Sequence, residues 1–455
     1  MRKKPELSGF LLEINSDLWY NMFITKTKTK GVYHMAKIIS QVTLFDYNEI
    51  EELGDLERLQ LAIEGINDEE LMRKLEKKRG KKGRDDYPIR VMWNLILAML
   101  IFEHCTVASF RRELSRNSQL RKICGMDDFS KKKYLVPPAR VFTGFFRRLQ
   151  NEKELLYKMF SLQVEEISTW LPEFGKTLAG DGKYIDSFAK RPSKKENEKA
   201  GARREADAAY SKKVYYYAGE NGEKKSKTET HYGFKAHIIC DVGTELPVDY
   251  RVTAANIDEK KMMTEMIEAF SEEQKNRGNV FLLDRGYDSI DMIRTIKNAS
   301  MKPVIDIRNC WKDGEETKQY KNTQIVYNYK GDVYIYDDKG KQRKMHYEGY
   351  DAQKNCLRYS FNGKIHKIYI SYDERVFLPI ARDSKKFKRV YKGRTSVERL
   401  NGRLDRDFLF EDHCIRGLEK MEMMVSLSMI VMNGMALGKL QRGTNTNLAA
   451  TKKVA

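Results

Sequence analysis

The chain has 455 residues, 41% hydrophobic and 33% charged, which suits folded domains and excludes a wholly disordered or fibrous polypeptide. Lys and Arg total 84 against 65 Asp and Glu, a net charge of +19, so the expected partner is a polyanion, with nucleic acid ahead of a merely solvated basic surface. The six cysteines are scattered without a CxxC pair, which excludes a zinc ribbon or a disulfide framework and fits a reducing compartment.

A chain this long exceeds one ordinary core, so two or three domains are expected. Residues 1–47 are poorly patterned, and Met35 is as plausible a start as Met1. The opening "MRKKPELSGFLLEINSDLWY" holds no apolar run of signal-peptide length, which places the protein in the cytoplasm. Residues 48–170 read as an all-helical domain. "EIEELGDLERLQLAIEGINDEELMRKLEKK" is amphipathic, "VMWNLILAMLIF" is a buried helix entered at Pro88, Thr106 caps the next segment, and another starts at Pro137 or Pro138. Arg111, Arg112, Arg116, Arg121, Arg140, Arg147 and Arg148 on these short helices point to a helix-turn-helix-like DNA-binding unit, the alternative being a bundle with arginines on its wet face.

From Thr177 the texture changes. "KTLAGDGKYIDSF" reads as a strand, the lysine-rich stretch from Lys190 to Thr230 as a loop, and "HYGFKAHIICD" and "LPVDYRVTAA" as two strands joined by "VGTE". A helix, the short buried strand in "NVFLLDRGYDS", a second helix and the strand "KPVIDI" follow, so residues 176–310 form the first part of an α/β core with a mixed sheet. Residues 311–385 alternate apolar and polar, rich in tyrosine and broken by "KGD", "DKGK" and "NGK". They read as an antiparallel β-rich insertion. Residues 386–440 complete the core with helices. Among them "MMVSLSMIVMNGMALG" is a buried helix that falls short of a confident membrane span, and 441–455 read as a disordered tail.

Three acids stand where packing does not explain them. Asp181 lies between two glycines on the first core strand, Asp284 ends the run "VFLLD", and Glu398 sits on the helix after the insertion. Singly, each is ordinary: a strand ending in Asp usually marks only where it meets solvent. Together they change meaning, because acids at the ends of adjacent strands leave the same edge of a sheet, where α/β folds place their sites. Such carboxylates repel one another unless a hard cation joins them, and Mg²⁺ prefers carboxylate and phosphate oxygens. Two ions roughly 3.5–4 Å apart stabilise the attacking and leaving oxygens of an in-line phosphoryl displacement. From Arg382 to Arg406, ten basic residues surround three acidic ones, a net +7 around Glu398.

"LAGDGKYIDS", "HYGFKAHIICD", "VTAANIDEKKMM", "FLLDRGYDS", "PVIDIRN" and "YKGRTSVERLNGRL" occur in the order found in DDE transposases of bacterial insertion sequences, and the chain resembles that family from about Tyr87 to Leu437. The group it resembles carries a tyrosine–arginine–glutamate–lysine helix signature. Here Tyr391, Arg394 and Glu398 keep the spacing, on one helix face, while Asp405 stands at the lysine position with Arg403 and Arg406 nearby. The resemblance implies an RNase H-like core and two Mg²⁺ ions, with Mn²⁺ able to substitute, held by Asp181, Asp284 and Glu398. It also implies cut-and-paste transposition: hydrolysis of the 3′ strand at the element ends, then attack of the 3′-hydroxyl on target DNA.

Arg394 and Tyr391 would hold the backbone phosphate beside the scissile bond, and Lys183, Lys392, Arg403 and Arg406 are further candidate DNA contacts. Trp311 has two readings, a stack on a flipped base or a cap on a core. The partners implied are double-stranded DNA, as terminal inverted repeats and target, and a second copy of the chain in the DNA complex, with no membrane. The competing reading is a DNA-binding protein derived from such a transposase that has lost catalysis. No HxH motif occurs among the seven histidines, which sets aside a histidine–tyrosine nicking enzyme.

Overall fold

The computed structural model describes residues 54–78, 87–126, 136–189, 205–218 and 223–452. The expectations for residues 1–47 lie outside them. The described part opens with helices α1 (Leu56–Gly65), α2 (Glu69–Lys77), α3 (Ile89–Ile101), α4 (Val107–Arg116), α5 (Ser118–Ile123), α6 (Ala139–Gln150) and α7 (Lys153–Trp170). α3 follows Pro88, whose fixed φ suits a helix entrance, and nearly all of it is buried. Thr106 caps α4, its Oγ1 accepting from the Ser109 amide at 3.1 Å.

The central sheet contains β1 (Thr177–Asp186), β2 (Ala209–Ala218), β3 (Lys224–Asp241), β4 (Pro247–Ala254), β5 (Val280–Leu283) and β6 (Lys302–Ile305). β3 pairs antiparallel with both β1 and β4, and β1, β5 and β6 then run parallel to one another. Helices α8 (Glu259–Glu268), α9 (Glu272–Arg277) and α10 (Ile290–Asn298) are the crossovers that parallel pairing requires. A difference from the sequence expectation lies at residues 209–230. Instead of a loop, β2 and the first half of β3 pair from Ala209↔Gly233 to Ala218↔Lys224. In the β3 half of this ribbon, "KSKTET" (225–230) is polar throughout, so the alternation that marks a half-buried strand is missing there.

The inserted region builds two small antiparallel sheets. One holds β7 (Thr317–Gln319), β8 (Ile325–Asn328), β9 (Val333–Tyr336) and β10 (Gln342–Lys344). The other holds β11 (His346–Asp351), β12 (Cys356–Phe361) and β13 (Lys364–Tyr369). They enclose their own cluster around Tyr327, Tyr359, Ile368 and Phe377. Trp311 caps this cluster edge-on to Tyr327, with Lys318 over its ring at 4.7 Å. Buried Arg382 staples the insertion to the sheet by donating to the carbonyls of Ile305, Arg375 and Val376.

After the insertion come α11 (Lys385–Tyr391), α12 (Thr395–Phe408) and α13 (Leu418–Gln441). α13 is long and apolar enough to cross a membrane, yet it is mostly buried inside the protein. It joins what the sequence reads as separate domains. A Cβ on Gly65 would sit 1.9 Å from the Gly434 carbonyl oxygen, so α1 and α13 touch backbone to backbone. Asn433 donates to the Pro247 carbonyl at 3.2 Å and Gln163 to that of Ile430 at 3.1 Å. The first helices, α13 and the central sheet therefore share one hydrophobic cluster. The expected disordered tail also differs: Lys439 Nζ holds the carbonyls of Asn447 and Ala450, Leu448 is buried, and Thr451 donates to Asp407.

Candidate active site

The parallel register sets the site. The last paired residues of β1 and β5 are Gly180 and Leu283, so Asp181 and Asp284 stand side by side one step beyond them. β5 and β6 end likewise at Leu283↔Ile305, which puts Asp306 next in the row. Asp284 caps the 3₁₀ turn Arg285–Tyr287, accepting from the Arg285 amide at 2.6 Å. Asp306 is neutralised by Arg285, whose Nε donates to it at 2.9 Å. Among the described residues the Asp181 carboxylate accepts a single hydrogen bond, from the Gly182 amide at 2.9 Å.

Burial pushes the Asp181 carboxyl up to about 6; Glu259 and Asp284 push it the same way, while the Gly182 amide and Arg394 oppose them. Beside these acids the Tyr287 hydroxyl is buried without a hydrogen-bond partner. Burial raises its pKa well above the ordinary tyrosine value, and Asp181, Glu259 and Asp284 add to the rise.

Glu398 occupies the first turn of α12, which packs on β1 and β3. Arg394 donates to it at 2.7 Å and lies within electrostatic reach of Asp181 and Asp284 as well. One guanidinium is thus a positive charge within reach of all three acids. Tyr391 stacks on Phe387 with ring centroids 5.6 Å apart, and burial pushes its hydroxyl up to about 12. Lys392 is exposed on the short 3₁₀ turn before α12.

Lys183 faces the same side of β1 as Asp181, two residues on, and its Nζ meets Asp405 Oδ2 at 2.6 Å. Arg403 and Arg406, the candidate DNA contacts nearest Asp405, are placed otherwise. Arg403 is buried and committed to Glu245 through its carboxylate, at 2.9 Å, and its carbonyl, so the expectation that it contacts DNA does not fit its position. Arg406 is exposed but pairs with Asp407 at 2.6 Å. On the N-terminal helices Arg111 donates to the Pro137 carbonyl and Arg121 to that of Leu114, which are structural bonds. Arg112, Arg116, Arg140, Arg147 and Arg148 are exposed.

The donor set suits a hard divalent cation: carboxylate oxygens only, crowded at one sheet edge with acceptor capacity to spare. Among the described residues no three His, Cys, Asp or Glu side chains converge closely enough to hold a metal ion as they stand. Glu398 is the acid turned to a guanidinium instead of to its fellows. Sequence reasoning missed Glu259, Lys235 and Tyr287. Glu259 follows the helix cap Asp258, and nothing in "NIDEKK" separates a capping acid from one that faces the site.

Residues 188–433, more than half of the chain, match the family model described as "Transposase DDE domain". The chain belongs to this transposase family. The match includes Asp284 and Glu398 and begins just beyond Asp181. A cryo-EM structure of a piggyBac transposase synaptic complex with hairpin DNA is similar over 86% of this chain and 77% of that chain, at 11% identity and a TM-score of 0.35, too weak a likeness to carry an argument. No curated protein matches the chain.

Proposed function

We propose that this transposase moves an insertion sequence by cut-and-paste chemistry. It hydrolyses the 3′ strand at each element end and joins the released 3′-hydroxyl to target DNA. The observation that carries the reading is the placement of Asp181 and Asp284 side by side, one step beyond the last parallel pair of β1 and β5, with Arg394 linking both electrostatically to Glu398. Asp181, Asp284 and Glu398 would hold two Mg²⁺ ions, or Mn²⁺ in their place. Bound there, the ions would supply Lewis acidity to the attacking and leaving oxygens. A mixed six-stranded sheet, in which β1, β2 and β4 run antiparallel to β3 while β5 and β6 continue parallel to β1, supports an RNase H-like description of the core.

The chain's own residues do the positioning. Arg394 offers a planar fork that matches a phosphate, and giving up Glu398 for the DNA backbone would free that carboxylate. Lys183, fixed by Asp405 beside Asp181, supplies the ammonium that the signature places on α12. Lys392 and Arg406 are exposed for the flanking backbone. The exposed arginines of α4 and α6 would grip the terminal repeats. Two ends must be cut, which calls for two copies of the chain on the DNA, in the bacterial cytoplasm.

The test is cleavage of DNA carrying the inverted repeats that flank the reading frame, with Mg²⁺, by the wild type and Glu398→Gln. Cutting at the repeat ends by the wild type and not by the variant is the expected result. DNA binding without cutting by the wild type would instead identify an inactive descendant of a transposase. Cutting by both would remove Glu398 from the site.

A further inference from the structure

Another carboxylate approaches the site from the other side of the sheet. Glu259 opens α8 and lies against Gly182, where a Cβ would sit 3.2 Å from the Glu259 carboxyl carbon. Any side chain at 182 would push it away. Lys235, only 3% exposed, holds it from β3 with Nζ 3.0 Å from Oε1. Lys235 is itself fixed by the Ile257 carbonyl at 3.1 Å and by the Tyr184 ring, whose centroid is 4.6 Å away. Successive strand residues face opposite sides, so Glu259 meets β1 on the Gly182 side and not on that of the Asp181 side chain. The unpartnered Tyr287 hydroxyl, on a side chain 2% exposed, lies within electrostatic reach of Asp181, Glu259 and Asp284 together.

We propose that Glu259 is a positioning residue of the catalytic centre, one that acts through charge across the strand to draw a divalent cation onto Asp181 and Asp284. This rests on the metal-dependent reading above. Lys235 sets the strength of the effect by neutralising part of that charge, so the two side chains act in opposite directions on one quantity. A purely structural pair would not: breaking it from either end would loosen the same fold.

The test uses the full chain, without DNA, and Mn²⁺ alone as the probe, with free ion counted by electron paramagnetic resonance. Asp181→Asn serves as the reference and melting curves accompany each variant. Glu259→Gln weakens Mn²⁺ binding roughly tenfold, the size seen when outer partners of a metal site are removed, and Lys235→Gln tightens it. The double variant K235Q/E259Q, which leaves no buried charge alone, returns within about threefold of the wild type. Affinity unchanged in Glu259→Gln, or lowered alike in both single variants, overturns the role of Glu259 while Asp181→Asn still abolishes binding. Binding that Asp181→Asn leaves intact overturns the metal site itself.

Discussion

Two aspartates on neighbouring strands of one sheet have opposite surroundings. Asp241, on β3, accepts from the Gly175 amide at 2.9 Å and from the Thr244 amide and hydroxyl at 2.7 and 2.9 Å. Asp181, on β1, receives one amide and looks onto other acids. The first is spent on the fold, closing the turn between β3 and β4. The second is left with unused lone pairs, an arrangement that costs stability unless something positive arrives. Spare acceptor capacity, more than the presence of an acid, separates a site from a cap.

The contrast can be broken by substitution. Asp241→Ala removes three bonds to a buried carboxylate and is expected to cost about 3 kcal/mol in denaturant unfolding; a loss under about 1 kcal/mol would mean that this acid is no more structural than Asp181. Lys183→Met strands Asp405, whose Oδ1 is already unpartnered, and is expected to cost about 2 kcal/mol. Adding Asp405→Asn should restore most of that stability but not the lost DNA affinity. Recovery of both would deny Lys183 a role on DNA. Asp181→Asn, in chelator, is expected to raise stability by about 1 kcal/mol because it thins the crowd of carboxylates. A fall in its melting temperature would show the acid to be structural.

The smallest effect concerns the insertion. Burial, and then Asp332, push Asp383 up to about 6 from an unfolded value of 3.8. The folded state therefore holds the proton more tightly, and this contribution to stability is present below the unfolded pKa and lost as pH rises to about 6. Asp383→Asn should flatten that part of the stability profile, and an unchanged profile would contradict the assignment.

Parts of this were legible in the sequence for physical reasons. "VFLLD" and "LAGDG" show strands whose apolar pattern stops at an acid, and a glutamate amid ten cations has few structural explanations. The ribbon of β2 and β3 was not legible, because the all-polar "KSKTET" of β3 carries no period of two. The continuity of the core through α13 depends on Gly65 meeting Gly434, a contact between distant segments that no local pattern announces. The same holds for Lys183 and Asp405. Each alone is an ordinary surface charge, and only the packing of α12 on β1 makes them a pair. Glu259 was hidden by its position, since an acid in the first turn of a helix is what the helix dipole favours anyway.

The central claim is that Asp181, Asp284 and Glu398 act together on DNA through bound cations. Single-turnover strand cleavage on repeat-ended DNA in Mg²⁺, comparing the wild type with Asp181→Asn, Asp284→Asn and Glu398→Gln, tests it most directly. The prediction is cutting by the wild type and a loss of about a thousandfold or more in each variant, with no further loss when two are combined, as for groups that act as a unit. Any of the three variants cutting within about tenfold of the wild type would contradict the claim.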